Sequence, residues 1–199
     1  TQHIAGDNID IDIEVAYENK TGRCSINQTD EAALLAMIKT AEEMAIINEP
    51  DPEYIESAKA AEYPKVHNAM DATLNLTPEQ MVEIIRKSIL NGEQHGATVS
   101  GMTEKHHLEV FSNTKNGFQG QYDMTDFGHS MTIKKDHIET KVSFASKDFA
   151  CFNLDKEIAT LNEQLASLSN PQPFDAEKIP VIIRPAALWE FYMFMMWMM

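Results

Sequence analysis

The sequence predicts an α+β fold, an antiparallel or mixed sheet with helices packed on it, and three observations carry that expectation. Residues 9–17 alternate between apolar and polar side chains, residues 97–149 break into short alternating segments separated by turn residues, and three stretches elsewhere show apolar residues at helical spacing. With 199 residues, 43% hydrophobic and 24% charged, the chain can build one large domain or two small ones.

The first segment, IDIDIEVAY at 9–17, sets Ile9, Ile11, Ile13, Val15 and Tyr17 on one face of a half-buried strand. Asp10, Asp12 and Glu14 occupy the other face. Three carboxylates in a row raise the question of a cation site, but the solvated side of an amphipathic sheet accounts for them fully. Asn19, Lys20, Thr21 and Gly22 supply turn chemistry, and RCSIN returns as the second strand of a hairpin. Thr29 or Asp30 then caps a helix to about Ile47, with Leu34, Ile38, Ala41 and Ala45 on its apolar stripe and Glu42 and Glu43 opposite. The prolines of NEPDPEY end it, because proline lacks a donor and disfavours helical geometry in the residue before it.

A mixed polar and Ala-rich linker is expected up to Leu76. In TPEQ, Thr77 caps, Pro78 takes the first helical position and Gln80 completes a capping box. Met81, Val82, Ile85 and Ile89 are the expected buried stripe of this second helix, and Asn91 with Gly92 its stop. The segments of 97–149 read as an antiparallel meander with a hairpin-type turn at KNG, 115–117, and Asn113, Asn116 and Asp126 read as loop residues rather than ligands. A third helix follows from Leu154 to Leu168, where Leu154, Ile158, Leu161, Leu165 and Leu168 recur at helical spacing. Strand pairs followed by acidic helix starts occur in both halves and suggest a possible internal duplication. SNPQPFD at 169–175 is a linker, KIPVII a strand, and AALWEFYMFMMWMM at 186–199 a helix apolar on all sides except for Glu190. Two domains are therefore expected: an α+β N-terminal domain at 1–170, and at 171–199 a linker, a strand and the start of a truncated C-terminal domain.

A formal net charge of -15 gives a field that repels phosphate backbones and anionic headgroups, so neither nucleic acid nor a membrane surface is an expected direct partner. The apolar C-terminal stretch is too short to span a bilayer and carries no basic face. Cys24 and Cys151 form no metal or disulfide pattern, which fits a reducing cytoplasm. No basic-then-apolar leader opens the sequence, and Thr1 reads as an internal start. His3, His67, His95, His106, His107, His129 and His137 show no recognised ligand spacing, and no nucleophile elbow, P-loop or dinucleotide fingerprint is present. No metal and no cofactor are expected, and no catalytic residue can be singled out.

The order of the pieces is more specific than any one of them. A strand ending in R-x-S-I-N-Q, an acidic-capped helix ending at D-P-E-Y, a T-P-E-Q helix start, GMTEKHHLEVFSNTKNGF and a final PVIIRPAA resemble the TldD/PmbA family, the modulator of DNA gyrase group, over nearly the whole chain. The resemblance implies a peptidase-associated, metallopeptidase-related subunit that handles short or unfolded peptides, in a homodimer or a heterodimer with a TldD-like subunit. Metal-bearing members carry HExxxH on the helix after the strand equivalent to PVII. Here Met193 and Phe194 fall at its His and Glu positions and Met198 at its second His, so the resemblance points to the metal-free PmbA or TldE type. A non-enzymatic protein–protein interaction module is the alternative.

Overall fold

A computed structural model describes residues 2–63, 66–171, 173, 175 and 178–199. The expectation placed on Thr1 therefore lies outside the described residues, as do parts of the expected linkers at 64–65, 172 and 174. Contacts divide the chain into two compact units, one of residues 1–64 with 111–120, the other of residues 65–110 with 121–199.

In the first unit β1 (Ile11–Tyr17) pairs antiparallel with β2 (Lys20–Ile26). The strand starts two residues later than the alternation suggested, and Ile9 is 56% exposed. The turn is Glu18–Asn19 rather than 19–22: both residues have positive φ, 51° and 61°, as a two-residue type I′ hairpin requires. Alternation holds within the strand, with Ile11, Ile13 and Val15 half-buried and Asp12 and Glu14 exposed. The carboxylate face is taken up by sheet partners, since the Ser25 hydroxyl donates to Asp12 and Arg23 lies opposite Glu14. Helix α1 (Glu31–Ile47) starts at Asp30, whose side chain accepts from Ala33 N–H, and buries Met37, Ala41 and Ala45. It closes on β2 at Gly22, where an added Cβ would sit 2.0 Å from the Ala41 carbonyl oxygen. The tip at 111–120 belongs to this unit and is tied to residues 57–60, with Thr114 Oγ1 donating to Ala58 O and Asn116 Nδ2 to Ser57 O.

The second unit is built on a four-stranded sheet. Its strands are β3 (Val66–Asn68), β4 (Thr98–Asn113), β5 (Gln119–Lys135) and β6 (Ile138–Ser146); β5 is central, with β4 on one edge and β3 and β6 along the other. The pairing with β6 is antiparallel and that with β3 parallel, so the sheet is mixed. Asp126 lies inside β5, not in a loop. Alternate residues of β5, namely Thr125, Phe127, His129, Met131 and Ile133, are buried. Helix α4 (Leu154–Leu168) seats Leu161 and Leu165 against Met131, Ile133 and Val142, whereas Leu168 is 49% exposed.

The expected linker before Leu76 is in fact structured, carrying β3 and the single-turn helix α2 (Asp71–Leu74). Two side-chain contacts anchor that turn. The Thr73 hydroxyl donates to Lys147 O, and Lys105 Nζ donates to Leu74 O at 3.0 Å and Leu76 O at 2.6 Å. Helix α3 (Pro78–Gln94) starts with the expected Thr77–Gln80 capping box. Its buried residues are Ile84, Ser88, Asn91 and Gly92, while Val82 is 56% exposed. Asn91 and Gly92 are thus interior positions, and the helix ends at Gln94 with His95 as its C-cap and Gly96 following at φ 61°. Asn91 explains part of the rotation, because its amide exchanges two hydrogen bonds with Asn162 of α4, at 3.0 and 2.9 Å. A polar pair of this kind favours burial of an amide where periodicity alone selects aliphatic residues. The KIPVII stretch forms no strand: no ladder reaches described residues 178–184, and Ile182 is 98% exposed. The fold is α+β, and no internal duplication is shown.

Candidate functional site

Helix α5 (Pro185–Trp197) follows Arg184, with proline in its first turn and no side-chain cap. It carries the positions that the family resemblance singles out. Met193 is 48%, Phe194 69% and Met198 87% exposed, and Trp189, Phe191, Tyr192 and Trp197 are each more than half exposed. Thioethers are weak acceptors and a phenyl ring has no lone pair to donate, so these three side chains do not fit a catalytic zinc, which takes imidazole and carboxylate ligands. No other titratable side chain than Glu190 and Tyr192 lies on the helix. What α5 offers is a large apolar surface.

The histidines are placed singly. Among the described residues no three His, Cys, Asp or Glu side chains gather in a way that could hold a metal ion. His95 Nδ1 meets the Asn91 carbonyl at 2.8 Å and closes the end of α3, and His106 lies 3.5 Å from Glu104 at the surface. Two are oriented by partners that sequence spacing could not reveal. His67 and Asp123 face each other across the parallel β3–β5 pair, with Nδ1 2.8 Å from Oδ1. A carboxylate on Nδ1 fixes the tautomer and leaves Nε2 as the free nitrogen. The second is His129, 4% exposed, with Nδ1 2.8 Å from Thr103 Oγ1, its ring centroid 5.2 Å from that of Phe152, and Nε2 buried without a hydrogen-bond partner. Burial lowers its pKa, because the charged imidazolium would lose its hydration. The ring is a neutral core residue beside Phe127, Phe144, Phe149 and Phe152, which stack edge-on or tilted on one another.

A shallow groove of about 240 Å³ runs between α3 and α4, lined by Lys87, Leu90, Asn91, Gln94, Asp155 and Ile158. One cation, one carboxylate and two amides there could hold a small polar or zwitterionic group, but they supply no nucleophile. The sequence named Asn91 only as a helix stop and Ile158 only as an apolar-stripe residue, and pointed to none of the six as a site. The Asn91–Asn162 pair bonds the two helices beside the groove.

No family model and no curated protein matches the sequence. Solved structures do match the fold. A proposed modulator of a DNA gyrase from Thermotoga maritima is similar with a TM-score of 0.62 at 14% identity, over 81% of this chain and 38% of that one. TldE from Thermococcus kodakarensis gives 0.55 at 15% identity, over 79% of this chain and 42% of its own. A proposed modulator of DNA gyrase from Bacteroides thetaiotaomicron gives 0.61 at 14% identity, over 78% and 38%. The chain thus has the fold of part of the TldE and gyrase-modulator structures, and spans about two-fifths of the length of each.

Proposed function

We propose that this chain is the N-terminal part of a TldE-like subunit which acts with a metal-bearing TldD-like partner on short or unfolded peptides in the cytoplasm. The observation that carries the reading is the fold likeness to TldE, supported by the chemistry of Met193, Phe194 and Met198, the residues that the sequence resemblance sets at the ligand and base positions of the metal-bearing members. Two free cysteines, one of them exposed, agree with a reducing compartment. Among the described residues no helix is long and apolar enough to cross a membrane. The catalytic metal and its water belong to the partner, and this subunit contributes surface. In the test the full chain is purified alone and together with a TldD-like subunit, and each sample is assayed for bound zinc and for cleavage of an unfolded peptide. Cleavage only in the mixture, with zinc in the partner alone, is expected; cleavage and stoichiometric zinc in this chain by itself would overturn it.

A second reading, a non-enzymatic interaction module, is favoured by the exposed apolar surface of α5. It predicts a stable complex whose formation leaves the partner's peptide cleavage unchanged.

A further inference from the structure

The turn between β1 and β2 faces a cleft with a consistent chemistry. The loop after α1 folds back onto it: Asp51 N–H donates to the Asn19 carbonyl at 2.8 Å, and Glu53 N–H to the Asp51 side chain at 2.8 Å. The resulting cleft of about 430 Å³ is lined by Ala16, Tyr17, Glu18, Asn19, Tyr54 and Glu56. Two phenol rings and two carboxylates line it and no cation does. Aromatic faces carry the negative lobe of a quadrupole, so rings and carboxylates attract the same kind of group. Two lysines lie beside the cleft: Lys20, opposite Tyr17 in the hairpin, whose Nζ donates to the Ile46 carbonyl at 3.1 Å, and Lys59, whose Nζ is 3.4 Å from Glu56 in a pair whose side chains are 75% and 63% exposed. Such a pair is weak and readily exchanged. The net charge of -15 adds a long-range field of the same sign. Glu18 holds its place at φ 51°, where glycine or asparagine would be less strained.

We propose that this cleft binds an organic cation of the guanidinium or alkylammonium class, presented as the arginine or lysine side chain of a peptide. A planar guanidinium can stack on a tyrosine ring while its N–H groups reach a carboxylate, a combination that a hydrated metal ion or an anion cannot make. The proposal does not rest on the peptide-handling role above, because it concerns binding to this chain alone, without cleavage.

The test titrates isotope-labelled full-length chain with N-acetyl-arginine amide, its neutral citrulline counterpart and spermidine. Arginine amide is expected to shift the amide signals of Tyr17, Glu18, Asn19, Tyr54 and Glu56, and citrulline amide to leave them in place. Glu18→Gln and Tyr54→Leu should each weaken binding about fivefold or more, and Glu139→Gln, which lies outside the cleft, should leave it unchanged. Should Tyr54→Leu disturb the fold, Glu56→Gln at its exposed position gives the same readout. Equal shifts with citrulline, or equal weakening by Glu139→Gln, would show only a diffuse field and overturn the site. Tighter binding of spermidine than of arginine amide would overturn the peptide assignment.

Discussion

Replacing Leu161 by alanine tests how α4 is held on the sheet. The side chain is 0% exposed and sits in a cluster with Met131, Ile133, Val142 and Leu165. Removing three carbons from a fully buried site costs roughly 2 to 2.5 kcal/mol in transfer free energy alone. Between a strand and a helix fixed on both sides, the hole cannot collapse completely, so a cavity term brings the expected loss to about 3 to 4 kcal/mol. Leu168 belongs to the same sequence stripe but is 49% exposed, and Leu168→Ala should cost under about 1 kcal/mol. Urea denaturation followed by far-ultraviolet circular dichroism gives both values as shifts in midpoint at unchanged slope. Equal shifts for the two variants, or no shift for Leu161→Ala, would refute the packing of α4 described above.

Three further outcomes are expected. His129 has a folded-state pKa below its ordinary value of 6.5 because burial disfavours the charged ring. The unfolded chain therefore binds the proton more readily, and stability falls as pH drops below about 6.5, by at most about 1.4 kcal/mol per pH unit until the lowered folded pKa is reached. His129→Gln should flatten the stability profile in that window, and an unchanged slope would mean that the ring is hydrated. Gly22→Ala places a methyl group 2.0 Å from Ala41 O and 2.5 Å from Ala45 N, so α1 must move away from β2 at a cost of about 2 kcal/mol or more, read as a lowered thermal midpoint. Trp197→Glu with Phe194→Glu, at positions 90% and 69% exposed, should reduce hydrophobic-dye binding and concentration-dependent association in sedimentation; identical behaviour to wild type would show that the face is not used.

Local signals strong enough to act alone were legible in the sequence. A cap at Thr29 or Asp30, found at Asp30, the Thr77 cap, the alternation of 9–17, found from Ile11, and the leucine spacing of α4 each place backbone donors or apolar side chains without help from distant residues. Signals that depend on a distant partner were not. The stripe of α3 is turned toward Ile84, Ser88 and Asn91 because Asn162, 71 positions away, answers the Asn91 amide. The segment before Leu76 looked like a linker because its order comes from Lys105, Thr125 and Lys147, which satisfy its carbonyls, amides and hydroxyl from the sheet. KIPVII has strand composition, but composition supplies only one side of a ladder, and no second strand meets it here. The candidate sites follow the same division. The thioether and phenyl chemistry of Met193, Phe194 and Met198 is read directly from the residue types, whereas the His67–Asp123 contact depends on a three-residue parallel pairing that has no sequence signature.

Elements whose local pattern and tertiary surroundings agree are stabilised by their own chain, and elements where the two disagree point to contacts made elsewhere. Helices α1 and α4 meet the first condition, each burying part of its apolar face against a neighbouring strand or sheet. α5 meets the second: its side chains have the composition of a core, yet Trp189, Phe191, Phe194 and Trp197 remain 62%, 63%, 69% and 90% exposed. Aromatic side chains of that size bury roughly 150 to 250 Å² each when fully covered, and because Trp189 and Phe191 lie on opposite sides of the helix, no single flat face covers all four. An apolar area of that extent on a chain with net charge -15 is poorly suited to an anionic surface and well suited to another folded apolar face. Covering it with another folded apolar face would remove the conflict between pattern and environment, and the paired Trp197→Glu and Phe194→Glu test above reads whether such a cover forms.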